Sequence, residues 1–165
     1  MNDTTLPAAL LRVRSSEALR GGDPPIVTFQ IGRQRYGLPI VVVQEIVRLP
    51  ALVTVAGAPP TLCGLLNLRG QYLPILDGRA LMGEQPKYDL SCQIIVAGRE
   101  SPALGLLVDH VRDVRTIARR VTHITRPDIA AFLSSVVDDE DGSILLIDLA
   151  VLMALTAVQH PSLLP

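Results

Sequence analysis

Tryptophan is absent from the 165 residues, and two phenylalanines and three tyrosines supply the large aromatic side chains. So few flat faces exclude a stacking platform for single-stranded nucleic acid, which needs several rings along a basic groove. An excess of one charge is missing too. Fifteen Lys and Arg stand against 16 Asp and Glu, a formal net charge of -1, so no global field draws a polyanion or an anionic membrane, and no nucleic-acid partner is expected. Histidine is scarce: His110, His123 and His160 lie neither four residues apart nor beside a cysteine at ligand spacing, and no metal site is indicated. The only cysteines, Cys63 and Cys92, each sit inside an apolar stretch and read as buried, reduced thiols. Long apolar runs are also lacking. Ile144 to Val158 is interrupted by Asp148 and falls short of the ~20 apolar residues of a spanning helix. Residues 1–22 lack the charged start and apolar run of a secretory signal. A soluble, cytoplasmic chain without membrane insertion is expected.

Catalytic motifs are missing as well. Asp109-His110 has no G-x-S-x-G elbow to serve. The acidic run Asp138 to Asp141 before Gly142 fails as a calcium loop, because aligning Gly142 to the invariant glycine puts Val137 at the first ligand position and Asp148 at the twelfth. It reads as an Asp-Gly hairpin tip. The glycines form no phosphate-binding loop. No enzyme, no catalytic residue and no cofactor are expected.

What the chain does hold is apolar surface: 48% of it is hydrophobic and 19% charged, enough for one folded domain. Residues 1–25 form an N-terminal arm ending in the breaker cluster Gly21-Gly22-Asp23-Pro24-Pro25. From Ile26 short apolar or alternating runs follow one another between turn signals, the mark of an all-β protein with few helices. Val27, Phe29 and Ile31 share a face, and Gly32 to Arg35 makes a turn into residues 36–39. Further strands are expected at 62–68, 72–76, 93–97, 104–108, 111–117 and 143–147.

Two pairs of segments repeat. Gly37-Leu38-Pro39-Ile40-Val41-Val42-Val43-Gln44-Glu45-Ile46 aligns with Gly105 to Val114 at an offset of 68, and Ile75-Leu76-Asp77 to Met82 aligns with Leu146-Ile147-Asp148 to Met153 at an offset of 71. In the second pair an Asp stands where a helix N-cap is needed, between a strand and a Leu-Met helix face. The repeat predicts two similar halves of residues 26–157: a first barrel with its short helix at 26–86, a second with a C-terminal helix at 87–157, and a tail at 158–165. Halves this small are expected to share a hydrophobic seam.

Gly64-Leu65-Leu66-Asn67-Leu68-Arg69-Gly70-Gln71-Tyr72-Leu73-Pro74-Ile75-Leu76-Asp77 resembles the signature of the CheW family, and the likeness continues through Phe29-x-x-Gly32, Tyr36-Gly37, Val43 to Ile46, Pro59, Leu106 to Val114 and the segment from Ile144. The resemblance implies two intertwined SH3-like five-stranded β-barrels with a C-terminal helix. It also implies an adaptor that binds the regulatory domain of a CheA-type histidine kinase and the cytoplasmic tip of chemoreceptors, recruited to membrane-associated arrays. A groove between the barrels is then expected to take the receptor, with Val43, Ile46, Ile94, Val111 and Val114 along it and Glu45 and Arg69 as a polar pair beside it. Asn67 is expected to bond turn backbone, Gly64 and Gly70 to allow tight geometry, and Asp77 to cap a helix. The alternative within the family is a coupling protein of a non-flagellar pathway, serving surface sensing, second-messenger output or twitching motility. Outside it stands a small-ligand-binding barrel, which needs convergent polar groups in the seam.

Overall fold

The structure, a computed structural model, describes residues 24–117, 121–123 and 131–159. The expected arm, up to Asp23, and the tail beyond Gln159 lie outside the described residues. Extended backbone dominates, as the short apolar runs require. Strands β1 (Ile26–Ile31) and β2 (Gln34–Pro39) form a hairpin, and one 3-10 turn at Ile40–Val42 leads into β3 (Val43–Arg48). A second hairpin, β4 (Leu62–Leu68) and β5 (Gln71–Asp77), runs into the single turn α1 (Gly78–Leu81). The remaining elements are β6 (Gln93–Ala97), β7 (Leu104–Val108), β8 (His110–Arg115), β9 (Val121–His123), β10 (Leu133–Asp139), β11 (Gly142–Ile147) and α2 (Leu149–Gln159).

These strands build two sheets, in the orders β8-β1-β2-β11-β10-β9 and β3-β6-β7-β5-β4. Substituting β6, β7, β3, β4 and β5 for β1, β2, β8, β10 and β11 turns the first order into the second, apart from the three-residue β9. The duplication therefore extends beyond sequence. Both parallel pairings carry it, Leu146 beside Gly37 in one and Ile75 beside Gly105 in the other. So do the irregularities, at Leu133/Ser135 and at Leu62/Gly64. At both parallel pairings branched side chains crowd over a glycine, leaving little room for a side chain there. A Cβ on Gly37 would meet Ile26 Cδ1 and Leu146 Cδ2 at 2.9 Å, and one on Gly105 would meet the equivalent Ile94 Cγ2 at 2.7 Å and Ile75 Cδ1 at 2.4 Å. The helix starts repeat as well: Asp77 Oδ1 accepts from Ala80 N at 3.1 Å, and Asp148 Oδ1 from Val151 N at 3.2 Å.

One expectation is overturned. The halves 26–86 and 87–157 are repeat units but not barrels, because each sheet joins the opening hairpin of one half to the last strands of the other. The crossings are short: the 3-10 turn after β2, and a bend at Asp109 between β7 and β8. The first sheet also carries the three-residue β9 as a sixth strand, beside the five it shares with the repeat. Three strands, β3, β9 and β10, were not expected from the sequence. In β3 and β10 the inward positions include Glu45 and Ser135, both buried, and a polar residue facing inward hides the alternation by which a strand is read.

The exchange explains the composition of β6 and β7. Ile95, Ala97, Leu104 and Leu106 join Phe29, Leu38 and Leu152 in a core shared by the two sheets. Ile94, Val96 and Leu107, on the other face, join Leu66, Leu73 and Ile75 in a second core. A hairpin buried on both faces must be apolar throughout.

Candidate interaction surface

Two residues, Arg69 and Gly70, connect β4 to β5, and both have left-handed backbone, φ 51° and 86°. Such a turn matches the twist of the strands it joins. Glycine adopts it freely, whereas an arginine there is uncommon. Asn67 Oδ1 accepts from Gly70 N at 2.9 Å and holds the tip. Arg69 is thereby presented outward, its side chain 70% exposed, while its partner Glu45 on β3 is 8% exposed. Arg69 Nη1 and Nη2 donate to Glu45 Oε1 and Oε2 at 3.4 and 3.3 Å. Strands β3 and β4 are the two edges of their sheet, so this pair shows the sheet curling toward closure. The bonds are longer than the ~2.7–2.9 Å of a full-strength charged pair, and at an exposed position they contribute about 0 to 1 kcal/mol. The geometry leaves the guanidinium at the surface beside the buried Glu45, with further donors facing solvent.

The other sheet is drawn together with the signs reversed. Arg115 on β8 donates to Asp141 Oδ2 on the β10–β11 turn at 2.9 Å, and its Nε to Asp113 Oδ2 at 2.9 Å. Asp113, the repeat equivalent of Glu45, also accepts from Thr28 Oγ1. Burial raises the Asp113 pKa, but these bonds outweigh it and hold the carboxyl below its ordinary value.

The expected apolar contacts divide. Val43 and Ile94 have no exposed surface and Ile46 is 8% exposed; Val43 and Ile46 belong to the shared core and Ile94 to the second core. They pack the interior and do not line an exposed groove, because β3 and β6 turn these side chains inward. Val111 and Val114 are half-buried against the shared core and keep outer surface. Val111 N donates to Gln93 Oε1 at 2.7 Å, tying β8 of one sheet to β6 of the other, which sets Val111 at the seam. Gly64, at φ 148°, lets the bridge from Val53 approach: a Cβ there would stand 2.6 Å from Val53 O. Asp77, besides capping α1, accepts from Tyr88 Oη at 2.6 Å.

Sequence reasoning missed two features. Tyr72 and Val53 are 57% and 49% exposed; Tyr72 lies in the hairpin that carries Arg69, paired with Asn67, and Val53 bridges to its Leu65. The strand gave no signal for Tyr72, because Gln71–Asp77 do not alternate: the first two residues are exposed and the other five buried. The second feature is a lock across the crossing: Arg79 Nε and Nη2 donate to Asp109 at 2.7 and 2.6 Å, and Gly32 N donates to the same carboxylate at 2.9 Å. Burial pushes the Asp109 pKa up, and these donors outweigh it and hold it low. The thiolate forms of both cysteines are disfavoured. Burial, helped by the charge of Asp77, pushes the Cys63 thiol up to about 12, and burial raises Cys92. Among the described residues no cluster of three His, Cys, Asp or Glu could hold a metal ion, and no helix is long and apolar enough to cross a membrane.

Known proteins share this fold. Residues 25–157 match the family model described as the CheW-like domain. The chain is 35% identical over 118 residues to the chemotaxis protein CheW of Rhizobium meliloti, covering 71% of this chain and 76% of that one. With the probable chemotaxis protein CheW of Rhizobium etli it shares 31% identity over the same shares of the two chains. The crystal structure of the scaffolding protein TtCheW from Thermoanaerobacter tengcongensis aligns with a TM-score of 0.70 and 26% identity, over 78% of this chain and 90% of that one. With the family model spanning both sheets and both repeats, the chain belongs to the CheW family.

Proposed function

We propose that this protein is a non-catalytic adaptor that couples the cytoplasmic tip of chemoreceptors to the regulatory domain of a CheA-type histidine kinase. It does so in the cytoplasm, at membrane-associated receptor arrays. Family membership supports the reading, and one observation carries it: Arg69 stands exposed on a two-residue turn with the buried Glu45 behind it. A receptor helix offering a carboxylate and an apolar ridge would take the guanidinium, while Val111, Val114 and Tyr72 supply apolar contact.

Binding to a receptor-tip fragment and to the kinase regulatory domain tests this directly, by calorimetry on the full chain. Both are expected to bind. Arg69→Glu is expected to weaken receptor binding about tenfold or more, equal to about 1.4 kcal/mol, with an unchanged melting temperature. No binding to either partner from folded protein overturns the reading. Unchanged receptor binding with lowered stability reduces the Arg69–Glu45 pair to a structural role.

A further inference from the structure

The two crossings between the sheets are equivalent in the repeat and are held by different means. At the first, the 3-10 turn closes on itself: Val43 N donates to Ile40 O, and Ile40 N donates to Pro25 O at 2.8 Å. Backbone alone secures it. At the second, the single residue Asp109 separates β7 from β8, and no such turn offers an acceptor to Val111, the counterpart of Val43 at the offset of 68. A side chain does so instead, Gln93 Oε1 accepting from Val111 N at 2.7 Å. At the counterpart of Gln93, again 68 residues earlier, stands Pro25, whose side chain has no acceptor.

Strand β8 lies at the edge of its sheet with β1 as its one neighbour, and their ladder is interrupted by a register shift between Val27 and Phe29. Arg115 ties its far end to the β10–β11 turn of the same sheet. The bond that reaches β8 from the other sheet comes from Gln93, half-buried at the start of β6 and paired there with Arg48 and Val108. Arg79 and Gly32 already hold the crossing at Asp109, so a second tie two residues on fixes direction as well as position. Exposure divides the same way. Val43 and Ile46 are buried in the shared core, whereas their counterparts Val111 and Val114 keep outer surface. The side-chain tie is found where the valines can meet a partner. With its acceptor removed, an N–H left unsatisfied at the seam favours any movement of β8 that brings it to water.

Resting on the adaptor reading above, we propose that Gln93 is a positioning residue: its side chain sets β8 against the second sheet, so that Val111 and Val114 meet the receptor helix in the geometry that binds. The test uses the full chain, with amide exchange by NMR and calorimetry against the receptor-tip fragment. Gln93→Leu, which cannot accept, is expected to speed exchange at Val111 N–H about tenfold or more while the β10–β11 amides stay protected. Its receptor binding is expected to weaken about fivefold. Gln93→Glu keeps the acceptor and is expected to restore both; Gln93→Asn, one methylene shorter, is expected to lose both and replaces the leucine variant if that one does not fold. Unchanged exchange at Val111 without the acceptor overturns the proposal. So does native receptor affinity despite faster exchange, or a loss of binding that Gln93→Glu shares equally. If the native chain itself binds no receptor tip, the adaptor reading fails and this proposal falls with it, whatever the exchange shows.

Discussion

The two sheets follow one route and are filled differently. Beneath the second sheet lies a continuous apolar cluster that includes Leu68 and Val96. At the equivalent places in the first sheet stand Asp139 and Thr28, and Arg35 replaces Ala103. There Arg35 donates to Asp139 through both Nη atoms, Nη1 at 2.9 Å, and to Gly142 O at 2.8 Å, while Arg115 lies 3.6 Å from the same carboxylate. The side chains of Arg35 and Asp139 are only 10% and 15% exposed. One backbone thus accepts either filling, and the fillings differ in how they fail. An apolar cluster loses in proportion to the volume removed, whereas an ionic network fails when one partner is removed and the other stays buried.

The largest effect is expected where the apolar filling is cut. Ile75, fully buried and packed on Gly105, should lose about 3 to 4 kcal/mol as Ile75→Ala, read from chemical denaturation. Arg35→Ala comes next, at about 2 to 3 kcal/mol, because Asp139 is left half-compensated by Arg115. Equal losses for Asp139→Leu alone and for the pair Arg35→Ala with Asp139→Leu would break the contrast, since a network should be rescued by removing both charges.

Acid provides a smaller test. The bond from Arg35 holds the Asp139 carboxyl at about 2, below the ~3.9 of an unfolded chain. A depressed folded value means the contribution is complete above about pH 4 and disappears as the pH falls through about 2. Denaturation midpoints of the native protein should therefore drop over that window more steeply than those of Arg35→Ala with Asp139→Leu. Parallel curves would deny Asp139 its part. The smallest effect is expected from transplanting the apolar filling whole: Thr28→Val, Arg35→Ala and Asp139→Leu together should stay within about 1 kcal/mol of the native protein. A loss matching Arg35→Ala alone would show that the two interiors are not interchangeable.

Much of the fold was legible along the chain. The strands at 62–68, 93–97 and 104–108 stand where their apolar runs put them, and the Leu-Met segments after Asp77 and Asp148 are the capped helix starts their spacing described. Of the candidate surface, the turn at Asn67–Gly70 was legible, whereas the burial of Val43, Ile46 and Ile94 was not. Asn67, Arg69 and Gly70 are neighbours in sequence, so local backbone rules suffice for them. Val43 and Ile94 carry the same apolar character as Val111 and Val114, and nothing in that character says which pair is turned inward.

Local rules were enough for the elements, the repeat and the turn, because hydrogen-bond spacing, side-chain alternation and cap geometry act over a few residues. Which hairpin joins which sheet was decided only in three dimensions. Arg35 finds Asp139 104 residues away, and the exchange of β1–β2 and β6–β7 depends on burying both faces of β6 and β7 at once. Nothing within a single strand encodes that requirement; it arises when two marginal halves, each too small to close a core alone, share one.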